Sequence, residues 1–310
     1  MIYNNVLECI GNTPLIRLSR MTGENDAEIL VKFEALNVGG SIKTRTAYNM
    51  IKSAEAAGKL TPESIIVEPT SGNQGIGLAL VGAVLGYCVR IIMPDSVSEE
   101  RRKLVANYGA EVILVHDEGD IGECIARCMA LALEIKAGDE RVFVPGQFEN
   151  PANPEAQRCG TGREIVAALE GRPVHAFCSG IGTGGTITGI GEVLRESYPD
   201  IKIVAAEPEN AAILSGGAIG THIQMGIGDG IVPPVLNLDI YDEVCTVSDG
   251  EAVQVARDLA RLEGIMCGIS SGTNVAVALR LAKRLGKGKT VVTVIPDTAE
   301  RYFSTPLFEK

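Results

Sequence analysis

Gly39-Gly40-Ser41-Ile42-Lys43-Thr44-Arg45 is a glycine turn that delivers one lysine into the first turn of an expected helix. Two glycines let the backbone turn tightly, and a helix N-terminus carries partial positive charge. Arg45 adds a full charge nearby. An electropositive or desolvated setting lowers the pKa of an ammonium and supplies the neutral amine that a Schiff base requires. Most lysines are solvated surface charges, so this turn alone fits an exposed helix face as well as a covalent catalyst. The surrounding chain has to decide.

Outward from the turn, residues 29–34 read as a strand and the lysine helix runs to about residue 57. Strands at 65–67, 89–93, 112–115 and 142–144 then alternate with helices at 75–85, 99–108 and 121–137. Such alternation implies an α/β fold with parallel strands and helical crossovers. Pro145-Gly146, Pro151 and Pro154 break the rhythm and mark a boundary. A second block follows: a helix to about 169, a strand at 174–178, a glycine loop, a helix to about 198 and a strand at 202–206. An irregular glycine-rich stretch over 215–234 precedes helices near 251–262 and 273–285 and a last apolar strand at 290–295.

At 310 residues, with 45% hydrophobic and 22% charged, the chain can form two domains or one large α/β unit. The net charge of -11, without any Lys/Arg run, argues against a nucleic-acid partner. No apolar stretch approaches the roughly 18 residues of a membrane span, and Met1-Ile2-Tyr3-Asn4-Asn5 does not resemble a signal peptide. A cytoplasmic protein with no membrane partner is expected. The eight cysteines form no CxxC. Cys124 and Cys128 could share a helix face, but no further ligand pattern accompanies them, and no metal is expected. His116, His175 and His222 belong to no zinc or Ser/His/Asp signature.

Three loops carry the chemistry. Gly180-Ile181-Gly182-Thr183-Gly184-Gly185-Thr186 follows a strand and opens a helix, where backbone amides converge on a phosphate. The same glycines satisfy GxGxxG, and Glu207 falls where a dinucleotide site wants its ribose carboxylate, so NAD is also compatible. Glu68-Pro69-Thr70-Ser71-Gly72-Asn73-Gln74-Gly75 gathers hydroxyls and amides at a helix entry, enough to hold a carboxylate. Gly268-Ile269-Ser270-Ser271-Gly272 reads as a small-residue loop before a helix.

A lysine turn, a carboxylate loop, a phosphate loop and a serine loop in this order resemble the cysteine synthase (O-acetylserine sulfhydrylase) family of fold type II pyridoxal-phosphate enzymes. The resemblance runs from Gly11-Asn12-Thr13-Pro14-Leu15 to Glu300-Arg301-Tyr302-Phe303-Ser304-Thr305. It implies two mostly parallel twisted sheets with flanking helices, and pyridoxal 5'-phosphate in the cleft between two domains. Residues 42–150 would form a smaller mobile domain that closes over the substrate, and residues 1–41 with 151–310 a larger one that holds the phosphate. Lys43 would bind the cofactor as a Schiff base and move the α-proton, while Asn73 bonds the ring hydroxyl. Gly182, Thr183, Gly184, Gly185 and Thr186 would cradle the phosphate, and Ser270 would face the pyridine nitrogen. Thr70, Ser71, Asn73, Gln74 and Gln147 would surround the carboxylate of a small amino-acid substrate. A homodimer is the family's usual assembly.

Three residues depart from the family pattern: Thr44 for Asp, Gln74 for Thr, and Asp229 for a small apolar residue in Gly226-Ile227-Gly228-Asp229-Gly230. A carboxylate at the last position could act as a base toward water or a thiol and would repel hydrosulfide. That favours β-replacement on L-cysteine, expelling hydrogen sulfide to leave an aminoacrylate that takes up water (giving serine) or a second thiol (giving lanthionine). Cysteine synthesis from O-acetylserine and sulfide is the alternative within the family. Asp229 as a plain turn residue, an NAD-dependent oxidoreductase and a non-catalytic relative are the other readings.

Overall fold

The computed structural model describes residues 2–119, 121–217 and 219–309. The chain opens with β1 (Leu15–Arg17) and β2 (Glu28–Phe33), then enters the lysine helix α1 (Lys43–Ala56). From there β3 (Ile65–Pro69), α2 (Asn73–Leu85), β4 (Cys88–Pro94), α3 (Glu99–Asn107), β5 (Glu111–Val115), α4 (Ile121–Gly138) and β6 (Val142–Phe143) follow in strict alternation. The second block comprises α5 (Ala152–Ala156), α6 (Arg163–Leu169), β7 (Ala176–Gly180), α7 (Gly185–Ser197), β8 (Lys202–Pro208), β9 (Glu243–Val247), α8 (Asp249–Asp258), α9 (Ile269–Leu285) and β10 (Thr290–Ile295).

Two sheets result. One has four parallel strands in the order β5-β4-β3-β6, and the other has six in the order β1-β2-β10-β7-β8-β9, parallel except for β1. Buried parallel strands read as apolar runs whose alternate residues feed opposite layers. In the larger sheet Ile29, Val31, Ala176 and Cys178 pack with α8 and α9, while Leu30, Phe177, Ile203 and Val292 face α6 and α7. In the smaller sheet Ile66, Ile91 and Met93 pack with α1 and α2, whereas Ile65, Val67 and Ile92 face Cys124 and Cys128 of α4. The two thiols are therefore core packing. No group of three or more metal-ligating side chains exists among the described residues. None of the described helices is long and apolar enough to cross a membrane.

Two strands differ from the sequence-based expectation by being present at all: β1, only three residues long, and β9, a half-buried edge strand. The strand expected over 174–178 begins at Ala176 and runs to Gly180, pairing Gly180 with Ala206. Helix α9 begins at Ile269, so Ser270 and Ser271 lie in its first turn and not in a loop before it.

Candidate active site

Lys43 begins α1 because Gly39 (φ 74°) and Gly40 (φ 70°) take the left-handed turn that non-glycine residues avoid. A Cβ on Gly40 would come within 2.6 Å of Arg301 Nη2. The lysine projects into a cavity of about 340 Å³ bordered by Lys43, Thr70, Ser71, Asn73, Gln74, Gln147, Gly182, Thr183, Gly184, Thr186, Asp229 and Ser270. Every candidate residue except Gly185 borders this space. Gly185 instead opens α7 against Asn153, whose Oδ1 would lie 2.1 Å from a Cβ there.

Lys43 Nζ donates to Thr183 Oγ1 at 3.3 Å and to Gln147 Oε1 at 3.4 Å. The amine and the glycine loop therefore meet at one point. Asn153 fixes that point by donating Nδ2 to Thr183 Oγ1 (2.9 Å) and to the Gln147 carbonyl (2.8 Å). Helix α7 adds first-turn amides, which have no intrahelical acceptor and face the same loop. Gly182 must be glycine, since a Cβ would stand 2.3 Å from the Gly226 carbonyl oxygen. Asn73 is held at both ends: Nδ2 donates to Asp297 Oδ2 at 2.7 Å, and Oδ1 accepts from Arg301. Gln74 is buried, with Nε2 on the Met50 sulfur at 3.4 Å and Oε1 unpaired. Thr70 Oγ1 accepts from the Gly72 amide at 3.3 Å and shapes the loop.

Burial lowers the Lys43 pKa to about 8, against the opposing pull of Asp229 and Glu68. Lys43 has partial exposure, but only to the cavity, so its depth dominates. Arg45 does not contribute the expected positive field. Its guanidinium pairs with Glu34 at 2.8 Å and Glu164 at 2.6 Å and is spent there. Asp229 is pushed up by burial, opposed by the charge of Lys43. His222 clamps the Asp229 loop: Nδ1 accepts from the Gln224 amide at 3.1 Å, so Nε2 carries the proton and donates to the Gly228 carbonyl at 3.0 Å. Glu68 is pushed up to about 7 by burial and accepts from the amides of Gly146 (2.8 Å) and Gln147 (2.9 Å), fixing Gln147 over the cavity.

Glu207 does not face a ribose. Its carboxylate accepts from the amides of Leu214 (2.9 Å) and Ser215 (3.0 Å) and pins the irregular stretch that follows. This removes the dinucleotide reading of the glycine loop. Sequence reading missed Asn153, Asp297, Arg101 and Asn274, which donates Nδ2 to the Val294 carbonyl at 2.8 Å and accepts from the Gly180 amide at 2.6 Å. Asn274 had one legible signal, its place one turn after Ser270 on the same helix face.

A neutralisable amine, an amide-lined glycine loop, an anchored Asn73 and a serine at a helix start converge on one cavity. These residues fit a phosphate-bearing aldehyde. A family model described as pyridoxal-phosphate dependent enzyme matches residues 6–297. A cysteine synthase of Staphylococcus aureus (strain Mu50) is 47% identical over 305 residues, covering 98% of this chain and 97% of its own. Among solved structures, O-ureido-L-serine synthase superposes with a TM-score of 0.93 at 42% identity, over 99% of this chain and 96% of that one. A hydrogen sulfide-producing enzyme from Fusobacterium nucleatum superposes with a TM-score of 0.92 at 38% identity, over 97% of this chain and 100% of that one. The chain belongs to the pyridoxal-phosphate-dependent enzymes, in the cysteine synthase family.

Proposed function

We propose that the protein carries out β-replacement on a 3-substituted L-alanine with L-cysteine as the favoured donor, releasing hydrogen sulfide and adding water or a second thiol at the β-carbon. The observation that carries this reading is Asp229, a carboxylate on the cavity wall whose pKa is raised by burial and which interacts electrostatically with Lys43. Its Oδ2 lies 3.6 Å from where a Cβ on Gly182 would stand. A base with a raised pKa is better matched to a thiol or water proton than an ordinary carboxylate. The same charge disfavours entry of hydrosulfide, the nucleophile of cysteine synthesis.

When bound, pyridoxal 5'-phosphate supplies an electron sink for the bonding electrons of the substrate's α-carbon. The residues of the chain do the rest. Lys43 Nζ holds the cofactor and moves the α-proton, aided by a pKa near 8 that leaves a usable neutral fraction. Gly182, Thr183, Gly184 and Thr186 receive the phosphate, Asn73 the ring hydroxyl and Ser270 the ring nitrogen. A neutral hydroxyl at that nitrogen suits rapid loss of the β-substituent. Thr70, Ser71, Asn73, Gln74 and Gln147 orient the substrate carboxylate. Closure of residues 42–150 over the site excludes bulk solvent, so that the water or thiol added is one held beside Asp229. The working form in this proposal is a cytoplasmic homodimer, which sedimentation of the holoenzyme checks.

The deciding experiment supplies holoenzyme with L-cysteine alone, measures sulfide release and identifies the amino-acid product. Serine or lanthionine formation, lost in Lys43→Ala and strongly reduced in Asp229→Asn, supports the reading. Slow release from cysteine with brisk cysteine formation from O-acetylserine and sulfide overturns it in favour of cysteine synthesis. That second reading has its own support in the relatives named cysteine synthase at 47% identity.

A further inference from the structure

The loop from Thr70 to Asn73 offers hydroxyls, an amide and backbone N–H groups, none with a formal charge. Two arginines stand against it. Arg301, 3% exposed, donates to Asn73 Oδ1 and to the Gly39 carbonyl. Arg101, 2% exposed, packs on Gly72 so closely that a Cβ there would lie 2.9 Å from its Nε. Asp297 is the carboxylate beside them, and it accepts from Asn73 Nδ2 (2.7 Å) and the Tyr302 hydroxyl (2.7 Å). Two guanidiniums against one carboxylate leave the floor of the loop positive. Glu300, the next acidic group to act on Arg301, is exposed and screened by solvent.

Arg101 is distinctive among the described buried arginines because it borders the cavity. Its Nη1 donates to Ser98 Oγ (3.1 Å) and the Met225 sulfur (2.8 Å), and its guanidinium lies 4.6 Å over the Tyr302 ring. No carboxylate among the described residues forms an ion pair with it. A buried cation without an anion is costly, and such sites commonly await a charged ligand. Met225 also sits just before the Gly226–Gly230 turn that carries Asp229, so Arg101 links the carboxylate loop to the opposite wall.

We propose that Arg101 is a specificity residue: it supplies the charge that makes the site select α-amino acids with an ionised carboxylate over the corresponding amides and esters. The inference rests on the reading that the Thr70–Asn73 loop receives the substrate carboxylate, and it is independent of which nucleophile is added. The test is equilibrium binding of L-alanine and L-alaninamide to the holoenzyme, comparing wild type, Arg101→Gln, Arg101→Lys and Thr70→Val, with cofactor content checked by visible absorbance. Wild type should prefer the acid. Arg101→Gln should weaken L-alanine roughly ten- to a hundredfold, the usual loss of a charge-assisted interaction, and leave L-alaninamide unchanged. Arg101→Lys should recover part of the preference. Equal weakening of acid and amide, or an unchanged preference in Arg101→Gln, overturns the proposal. If Thr70→Val keeps the preference while Arg101→Gln loses it, the Thr70 hydroxyl is not what holds the carboxylate, and the Arg101 proposal stands on the remaining groups of the loop. Should Arg101→Gln fail to fold, Arg101→Lys decides by its KM-to-kcat split: a raised KM for L-cysteine at unchanged kcat supports the proposal, and a lowered kcat at unchanged KM overturns it.

Discussion

Lys43 and Arg45 are two residues apart on one helix, both deep in the protein, and they meet opposite fates. Arg45 sits between Glu34 and Glu164, and Lys32 joins the same cluster through Glu164 at 2.7 Å. Two cations and two carboxylates balance there. Lys43, on the cavity side, has among the described residues only neutral oxygens within hydrogen-bond reach, from Gln147 and Thr183. Pairing keeps a buried cation charged and inert, whereas burial without a direct partner pushes it toward the neutral, nucleophilic form. The same helix turn thus builds a structural joint on one face and a reagent on the other.

Breaking each half separately should give different kinds of damage. Lys43→Ala is expected to cost on the order of 10⁴ in turnover or more, since one amine serves as cofactor anchor and proton carrier. The midpoint of thermal unfolding of the cofactor-free protein should hold or rise, because a buried unpaired charge has gone. A large loss of stability in Lys43→Ala would break the contrast. Arg45→Met should do the reverse, destabilising by about 3–5 kcal/mol in urea unfolding because Glu34 and Glu164 lose their shared partner. Intact stability in that variant would mean the cluster contributes little.

Asp229→Asn sharpens the comparison at lower amplitude. Asp229 raises the Lys43 pKa through its charge, so its removal should move the lysine titration below about 8. Turnover of L-cysteine should fall on the order of 10²-fold, the lower range for loss of a general base. The rate of pyridoxal-phosphate capture by cofactor-free protein against pH reads the lysine directly. An unchanged midpoint would disconnect the two groups.

Much of this was legible in the sequence because it is local. Alternating strands and helices and the Gly39-Gly40 turn are set by neighbouring residues, and both are present in the fold. What was not legible depends on residues far apart. Arg45 looked like a source of positive field until Glu164, 119 positions away, came to its side. Glu207 occupied a plausible ribose position, yet it serves the loop at Leu214 and Ser215. Asn153 and Asp297 lie in stretches read only as a proline break and a chain end, and fold topology alone brings them to Thr183 and Asn73. Strand β9 was missed because Glu243–Val247 is half-buried and its alternation weak.

The smallest expected effect, and the one most specific to the contrast, is that the two clusters respond to pH at opposite ends of the scale in cofactor-free protein. Glu164, beside Arg45 and Lys32, is held down at about 2 against an ordinary 4.5. The folded state therefore binds fewer protons than the unfolded one in that window. Its stabilisation is complete above about 4.5 and lost as pH falls toward 2. Lys43 is also depressed, from 10.5 to about 8, but here the depressed form is a cation that burial penalises. Between about 8 and 10.5 the unfolded chain binds the extra proton, so stability rises with pH across that window, and below 8 the penalty is fully felt. Glu68, raised from 4.5 to about 7, binds its proton better when folded, so its contribution is fully present below 4.5 and declines as pH rises to 7. No single group can exceed a slope of about 1.4 kcal/mol per pH unit. Urea unfolding as a function of pH should show Glu164→Gln flattening the acid limb alone and Lys43→Met flattening the rise above pH 8 alone. If Lys43→Met leaves the alkaline rise untouched, burial does not depress this lysine, and the division of labour on α1 fails.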